Sequence, residues 1–135
     1  MEQPDLFSKR KKVRLPPVLE WKFQAMVADM LDRWLLPTWR STHIPSGELR
    51  DKGTAAKLKR MGVRKGWPDL ILLGPPGLHC LELKRKGEPL TEDQEQFEAF
   101  CQAIGVPYRW TDNFDQAIAI LKEWQCLRVN INPGA

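Results

Sequence analysis

The sequence has few of the residues that form disulfides or bind transition metals. Its 135 residues include two histidines and three cysteines, Cys80, Cys101 and Cys126, which lie far apart among apolar neighbours. These residues form neither a CxxC pair nor the Cys/His spacing of a zinc site. We therefore expect reduced, buried thiols, as is usual in a cytoplasmic protein, and no structural zinc.

Long apolar runs are also missing. No segment approaches the roughly 20 apolar residues that a helix needs to cross a bilayer, and the first residues lack the apolar stretch of a signal peptide. The sequence contains no internal repeat and no low-complexity block. These absences predict a cytoplasmic protein with no membrane partner.

The remaining composition is ordinary for a soluble globular chain, with 42% apolar and 28% charged residues. The length predicts one domain over residues 18–125, after a flexible basic arm (residues 1–17) and before a tail (residues 126–135) that could add an edge strand. The net charge of +4 permits nucleic-acid binding without requiring it. The arm is either an electrostatic contact to nucleic acid, a patch of the nuclear-import kind, or a solvated leader.

The most informative stretch lies between residues 66 and 84. The apolar run Leu70–Leu73 is followed by a Gly-Pro-Pro-Gly break and a second apolar segment, which predicts two short strands joined by a tight turn. A run that is apolar at every position is typical of a strand covered on both faces. A charge in or beside such a strand is costly unless it is paired or binds a metal. Three charged residues need this explanation: Asp69, Glu82 and Lys84.

The turn predicts that two of these charges meet. A symmetric antiparallel hairpin around Gly74–Gly77 places Asp69 opposite Glu82, with their Cβ atoms about 4.5–5.5 Å apart. Lys84 is two residues from Glu82, so strand alternation puts both on one face. Two carboxylates suit a hard divalent cation such as Mg²⁺ or Mn²⁺, and the lysine could position a water or help to deprotonate it. Alternatively, Asp69 ends a loop and the other two residues form a solvated pair.

This stretch resembles a known nuclease signature. The Pro-Asp pair at Asp69 and the Glu-Leu-Lys triplet at Glu82 resemble the PD-(D/E)XK motif, and the string GVRKGWPDL at residues 62–70 resembles the VRR-NUC branch of that superfamily. The resemblance extends over about residues 20–124. It implies an α/β fold, a restriction-endonuclease-like core with a mixed four-stranded sheet flanked by helices in the order αβ(α)ββαβα.

The resemblance also implies a set of metal ligands: Asp69, Glu82, the Leu83 carbonyl and Glu20. Glu20 lies near the start of a predicted amphipathic helix over residues 18–35, at the edge of its apolar stripe. The alternative role of this glutamate is a favourable interaction with the helix dipole. By the same resemblance, Lys84 would hold the attacking water.

A second candidate element follows the hairpin. Residues 91–94 fit a capping box with Gln94 at the N3 position, and the helix ends at Gly105. Helical spacing places Gln94 on the apolar face that includes Cys101 and Ile104, toward the sheet. The resemblance implies that this glutamine lies near the active centre, so we predict that it both caps the helix and belongs to the site. A fourth strand over residues 106–110 and a final helix capped by Thr111 or Asp112 complete the domain.

Cations are dense just ahead of Asp69. We predict seven phosphate-binding candidates, with a solvated helix face as the alternative: Arg50, Lys52, Lys57, Arg60, Arg64, Lys65 and Arg85. Trp67 either packs under the hairpin or stacks on a base. His43 is more consistent with a structural hydrogen bond than with catalysis.

Together these residues predict a Mg²⁺- or Mn²⁺-dependent DNA endonuclease. The resemblance further implies a homodimer that acts on branched DNA, such as a Holliday junction, in replication, recombination or repair. Three alternatives stay open: an inactive nucleic-acid-binding module of the same fold, an RNA nuclease, and a restriction-type enzyme.

Overall fold

In the computed structural model, the backbone is described for residues 17–45 and 52–128, and side chains are described from residue 21 onward within those ranges. The basic arm up to residue 16, Arg50, and the tail from residue 129 lie outside the described residues. The side chain of Glu20 does too, although its backbone belongs to the first helix.

The described residues form four helices and four strands in the predicted order. Along the chain these are α1 (Pro17–Trp34), β1 (Arg40–His43), α2 (Lys52–Arg60), β2 (Leu70–Gly74), β3 (Gly77–Leu83), α3 (Glu92–Ile104), β4 (Tyr108–Thr111) and α4 (Phe114–Glu123). None of these helices is long and apolar enough to cross a membrane.

The strands form one sheet in the order β1-β2-β3-β4. The pairs β1/β2 and β2/β3 are antiparallel. The third pair is parallel, because Cys80 N–H donates to Pro107 O and Lys84 N–H donates to Thr111 O, so both strands advance in the same direction. The predicted mixed four-stranded sheet is therefore confirmed.

The hairpin has the predicted register. Gly74 pairs with Gly77 and Leu70 pairs with Leu81, so the next positions outward are residues 69 and 82. Gly77 has φ +120°, a conformation that other residues rarely adopt. The prediction that β2 is covered at every position is wrong at its end, because Leu73 is 56% exposed.

The described residues divide into two compact units: residues 38–45, 52–82 and 90–109 in one, and residues 17–37, 83–89 and 110–128 in the other. The first has a core of Cys80, Cys101 and Tyr108, with partly buried apolar residues packed around it. In the second, α1 packs against α4, and both helices contribute buried apolar residues. The assignment of residues 18–125 to a single domain stays a prediction.

Two local predictions are corrected. Ile104 is exposed, so the apolar face of α3 is covered only in part. The cap of α4 is Asn113, whose side chain accepts from Gln116 N–H at 2.7 Å. Thr111 still belongs to β4, and its hydroxyl accepts from Asn113 N–H at 3.2 Å. The edge strand of the tail stays a prediction; among the described residues of the tail, Leu127 forms an isolated β-bridge with Leu35.

The buried thiols lead to a prediction about pH. Burial raises the pKa of Cys80 to about 12 and that of Cys126 to about 11, and burial also raises the pKa of Cys101. Near pH 8 we expect iodoacetamide to modify the native thiols far more slowly than those of the chain unfolded in guanidinium, because the thiolate is the reactive form. Peptide mass spectrometry would measure this, and rapid alkylation of native Cys80 would contradict it.

The same shifts predict alkaline destabilisation. These thiols ionise more easily in the unfolded chain, so their contribution to stability is complete below about pH 9, their ordinary pKa, and is lost as the pH rises toward 12. Urea unfolding measured at several pH values should show a falling free energy of unfolding over this interval.

Candidate active site

Hydrogen bonds to two neighbouring segments fix the backbone of Asp69. It directly precedes β2, its carbonyl accepts a 2.7 Å hydrogen bond from Ile44 N–H, and its own N–H donates to Glu82 Oε1 at 3.1 Å. The residue before it, Pro68, is fully buried. Asp69 is therefore held at the position that the hairpin register predicts, next to Glu82.

Both carboxylate oxygens of Glu82 have a hydrogen-bond donor. Oε1 accepts from Asp69 N–H, and Oε2 accepts from Gln94 Nε2 at 2.8 Å. Glu82 is only 3% exposed, and Asp69 is 8% exposed. A buried carboxylate needs such partners to replace lost water, and the two bonds fix its orientation within the sheet.

Gln94 has two functions in the structure. Its Oε1 accepts from Thr91 N–H at 2.9 Å and its backbone N–H donates to Thr91 Oγ1, which together form the predicted capping box. The remaining group of its amide, Nε2, donates to Glu82. The start of α3 thus orients one of the two carboxylates.

Two further predicted site residues, Lys84 and Leu83, lie at the end of β3. Lys84 is buried, at 6% exposure, and follows β3 directly, with its N–H bonded to Thr111 O at 2.8 Å. Leu83 is the buried last residue of β3. The structure therefore brings together Asp69, Glu82 and Gln94, while the side chain of Glu20 lies outside the described residues.

The chemistry of this donor set suits a hard cation. Within residues 21–45 and 52–128, no three His, Cys, Asp or Glu side chains form a metal-binding group. Mg²⁺, however, commonly uses only one or two protein carboxylates, together with water and substrate phosphates. Two neighbouring buried acids, one of them oriented by two hydrogen bonds, fit that kind of site, whereas they do not provide the soft sulfur ligands that other metals prefer.

Tyr108 is a residue that the sequence analysis missed. Its hydroxyl is buried and has no hydrogen-bond partner among the described residues. Burial raises the pKa of Tyr108, and the negative charges of Glu82, Glu98 and Asp69 raise it further. It is the only tyrosine in the chain, but nothing in the sequence pattern distinguishes it from an apolar strand residue.

Removing the Tyr108 hydroxyl tests how much its burial lowers the free energy of unfolding. We expect Tyr108→Phe to raise the free energy of unfolding by about 1 kcal/mol, because an unpaired buried hydroxyl costs about 1–3 kcal/mol and the ring packing is retained. Urea denaturation of the two proteins would measure the difference. A clear loss of stability in the variant would contradict the assignment of an unpaired hydroxyl.

The predicted phosphate-binding residues are mostly exposed. Lys52, Lys57 and Arg60 lie on α2, and Arg64 and Lys65 lie on the loop that follows it, all exposed. Arg85, after β3, is half-buried. Because α2 has no acidic residue, this part of the surface is strongly cationic.

The structure also shows the surroundings of the two remaining candidates, Trp67 and His43. The Trp67 ring contacts Phe97, with centroids 4.8 Å apart, and Trp67 is 42% exposed. It therefore packs in part and keeps an accessible surface. His43 is exposed at the end of β1.

A family model described as the VRR-NUC domain matches residues 43–112, just over half of the chain. The matched range includes Asp69, Glu82, Lys84 and Gln94. The chain belongs to the VRR-NUC domain family. This is a family of the nuclease type, so the chain carries a nuclease-type domain.

A solved structure described as a VRR_NUC domain protein has the same fold as this VRR-NUC chain. The two align with a TM-score of 0.62 and 22% sequence identity, over 83% of this chain and 89% of that one. At this level of identity the similarity establishes the fold alone. A comparison with curated proteins found no match.

Proposed function

We propose that this VRR-NUC domain is a Mg²⁺- or Mn²⁺-dependent DNA endonuclease that hydrolyses phosphodiester bonds. The observation that carries the proposal is the buried pair of Asp69 and Glu82, adjacent in register and linked by a 3.1 Å hydrogen bond. A fold has little reason to bury two acidic residues side by side unless a cation or a proton balances them.

The side chains of this pair would hold the cation, with the Leu83 carbonyl and Glu20 as further ligands implied by the family. When bound, the cation would supply Lewis acidity, which makes water more acidic and offsets negative charge on the phosphate. Gln94 would keep the Glu82 carboxylate in the ligating orientation through its 2.8 Å hydrogen bond.

Lys84 would position the attacking water. Its place two residues after Glu82 supports this role, because alternate residues of a strand share a face. The water would attack phosphorus and lose a proton to solvent as the bond to the leaving oxygen breaks, and that oxygen would take up a proton from solvent. The lysine ammonium would hold the water and stabilise negative charge as it develops. This is a role in the reaction rather than in DNA affinity.

The exposed cations of α2 and its following loop would bind the DNA backbone. Contacts to phosphate give affinity that does not depend on sequence and that falls as salt rises. We therefore propose recognition by DNA shape. The preferred substrate would be branched DNA, such as a four-way junction in replication, recombination or repair.

A homodimer would suit such a substrate, since two active sites related by two-fold symmetry could make paired cuts. Light scattering with and without junction DNA would test this part independently. A monomer under both conditions would contradict it.

A substrate panel tests the proposed reaction. Linear, flapped and four-way DNA and a matched RNA would each be incubated with Mg²⁺, Mn²⁺ or EDTA. We expect cleavage of DNA with either metal, fastest for branched DNA, and none in EDTA. Binding without cleavage in both metals would instead indicate an inactive binding module, and preferential cleavage of RNA would contradict the DNA assignment.

A further inference from the structure

A cleft of about 350 Å³ opens beside Trp67. Its lining is mainly apolar, from Ile44, Leu58, Val63 and Trp67, and it also includes Arg64. These residues come from the end of β1, the α2 helix and the loop that leads to Asp69. Ligand pockets for drug-sized molecules measure about 300–1,000 Å³, so this cleft suits one small planar group rather than a length of duplex.

The exposed residues around the cleft combine aromatic, aliphatic and cationic groups. Trp67 and Val63 are 42% and 43% exposed, although large apolar side chains usually avoid water when they can be covered. Arg64 and Lys65, between them in the chain, are exposed cations. An aromatic platform beside cations is the arrangement that binds a nucleotide, because the base stacks and the phosphate is neutralised.

The position of the cleft connects it to the candidate active site. Trp67 is two residues before Asp69, and the intervening Pro68 is fully buried. On the other side, Ile44 lines the cleft and its N–H donates to the Asp69 carbonyl at 2.7 Å. A base bound here would thus belong to a nucleotide close to any phosphate held at Asp69.

We propose that this cleft binds one unstacked DNA base next to the scissile phosphate. Both faces of a base in continuous duplex are occupied by neighbouring bases, and extracting one costs a few kcal/mol. The cleft therefore selects branched DNA in which a nucleotide at the cleavage point is unpaired or easily unpaired, as at a flap, a gap or the crossover of a four-way junction. This inference rests on the proposed nuclease function and specifies its substrate class.

A fluorescent base tests the proposal directly. A DNA flap would carry 2-aminopurine at the unpaired position nearest the branch, and binding would be measured in EDTA so that no cleavage occurs. We expect the fluorescence to fall on binding, because stacking on an aromatic ring quenches this base. Fully paired DNA containing 2-aminopurine should bind more weakly and show no such fall.

Variants of residues that line the cleft test whether the fluorescence quenching arises there. Stacking on one aromatic side chain changes affinity by about 5- to 150-fold, so Trp67→Ala should weaken flap binding by that factor and abolish the quenching. Trp67→Phe should keep most of both effects. Trp21→Ala, at an exposed tryptophan on α1, is the matched control and should behave as wild type. Because Trp67 also packs on Phe97, Val63→Glu provides a second test that leaves this contact in place, and it should reduce the flap-to-duplex affinity ratio.

The possible outcomes test the base site and the nuclease function separately. Quenching by the wild type without cleavage in Mg²⁺ or Mn²⁺ would support the base site and contradict the nuclease function. Cleavage with metal, but no quenching and no preference for unpaired DNA, would overturn the base site and leave the nuclease function standing. Equal quenching in the wild type and Trp67→Ala would also overturn it.

Discussion

Lys84→Ala is expected to lose DNA cleavage by roughly 10²–10³-fold, the usual cost of removing one group that stabilises developing charge. The loss follows from the proposed role of the ammonium in holding the attacking water, and it should appear in the rate of the chemical step. DNA affinity should change little, because Lys84 is buried rather than exposed with the cations on and after α2. Single-turnover cleavage and anisotropy titration would measure the two quantities separately.

The matched control is Lys86→Ala. Lys86 lies two residues further along the chain and is exposed, so its removal should leave the single-turnover rate close to that of the wild type. Circular dichroism would show that both variants are folded. Wild-type cleavage by folded Lys84→Ala protein would contradict the role given to Lys84.

Gly66→Ala is expected to destabilise the fold by about 2–5 kcal/mol. Gly66 has φ +89°, and a side chain in this region costs about 1–2 kcal/mol. A Cβ at this position would also lie 2.6 Å from the backbone carbonyl oxygen of Asp93, and relieving such overpacking typically costs a further 1–3 kcal/mol. Asp93 lies in the first turn of α3 beside Gln94, so the displacement should lower cleavage as well. Urea unfolding and the single-turnover rate are the measurements.

Gly62→Ala separates the two causes. Gly62 also has a positive φ, +103°, but a Cβ there would have nothing within 4 Å. Gly62→Ala should therefore lower the free energy of unfolding only by the cost of a side chain at positive φ, about 1–2 kcal/mol. Equal destabilisation by the two variants would contradict the close contact between the loop and α3.

The hairpin could be predicted from the sequence because its causes are local. The Gly-Pro-Pro-Gly turn sets the register, and the register alone places Asp69 opposite Glu82. The capping box is equally local, since Thr91 and Gln94 are three residues apart. The bond from Gln94 to Glu82 joins two elements. Helical periodicity and the family resemblance predicted that Gln94 lies near the site, but not that it binds Glu82.

Features that depend on packing between distant segments could not be predicted. The cleft beside Trp67 needs Ile44 and Leu58 brought to the same place, and no sequence pattern specifies that. Periodicity identified the apolar face of α3 but not how much of it is covered, so the exposure of Ile104 was missed. The cap of α4 was misplaced because the length of β4 is set by pairing with the segment at Lys84.

Mn²⁺ binding followed by electron paramagnetic resonance tests the central claim most directly, because the signal of free Mn²⁺ falls as the ion binds. We expect the wild type to bind Mn²⁺ and Asp69→Asn to lose most of that binding. Glu95→Gln, at an exposed acid on α3, should bind as the wild type does. Unchanged Mn²⁺ affinity in folded Asp69→Asn protein would contradict the assignment of Asp69 and Glu82 as the cation site.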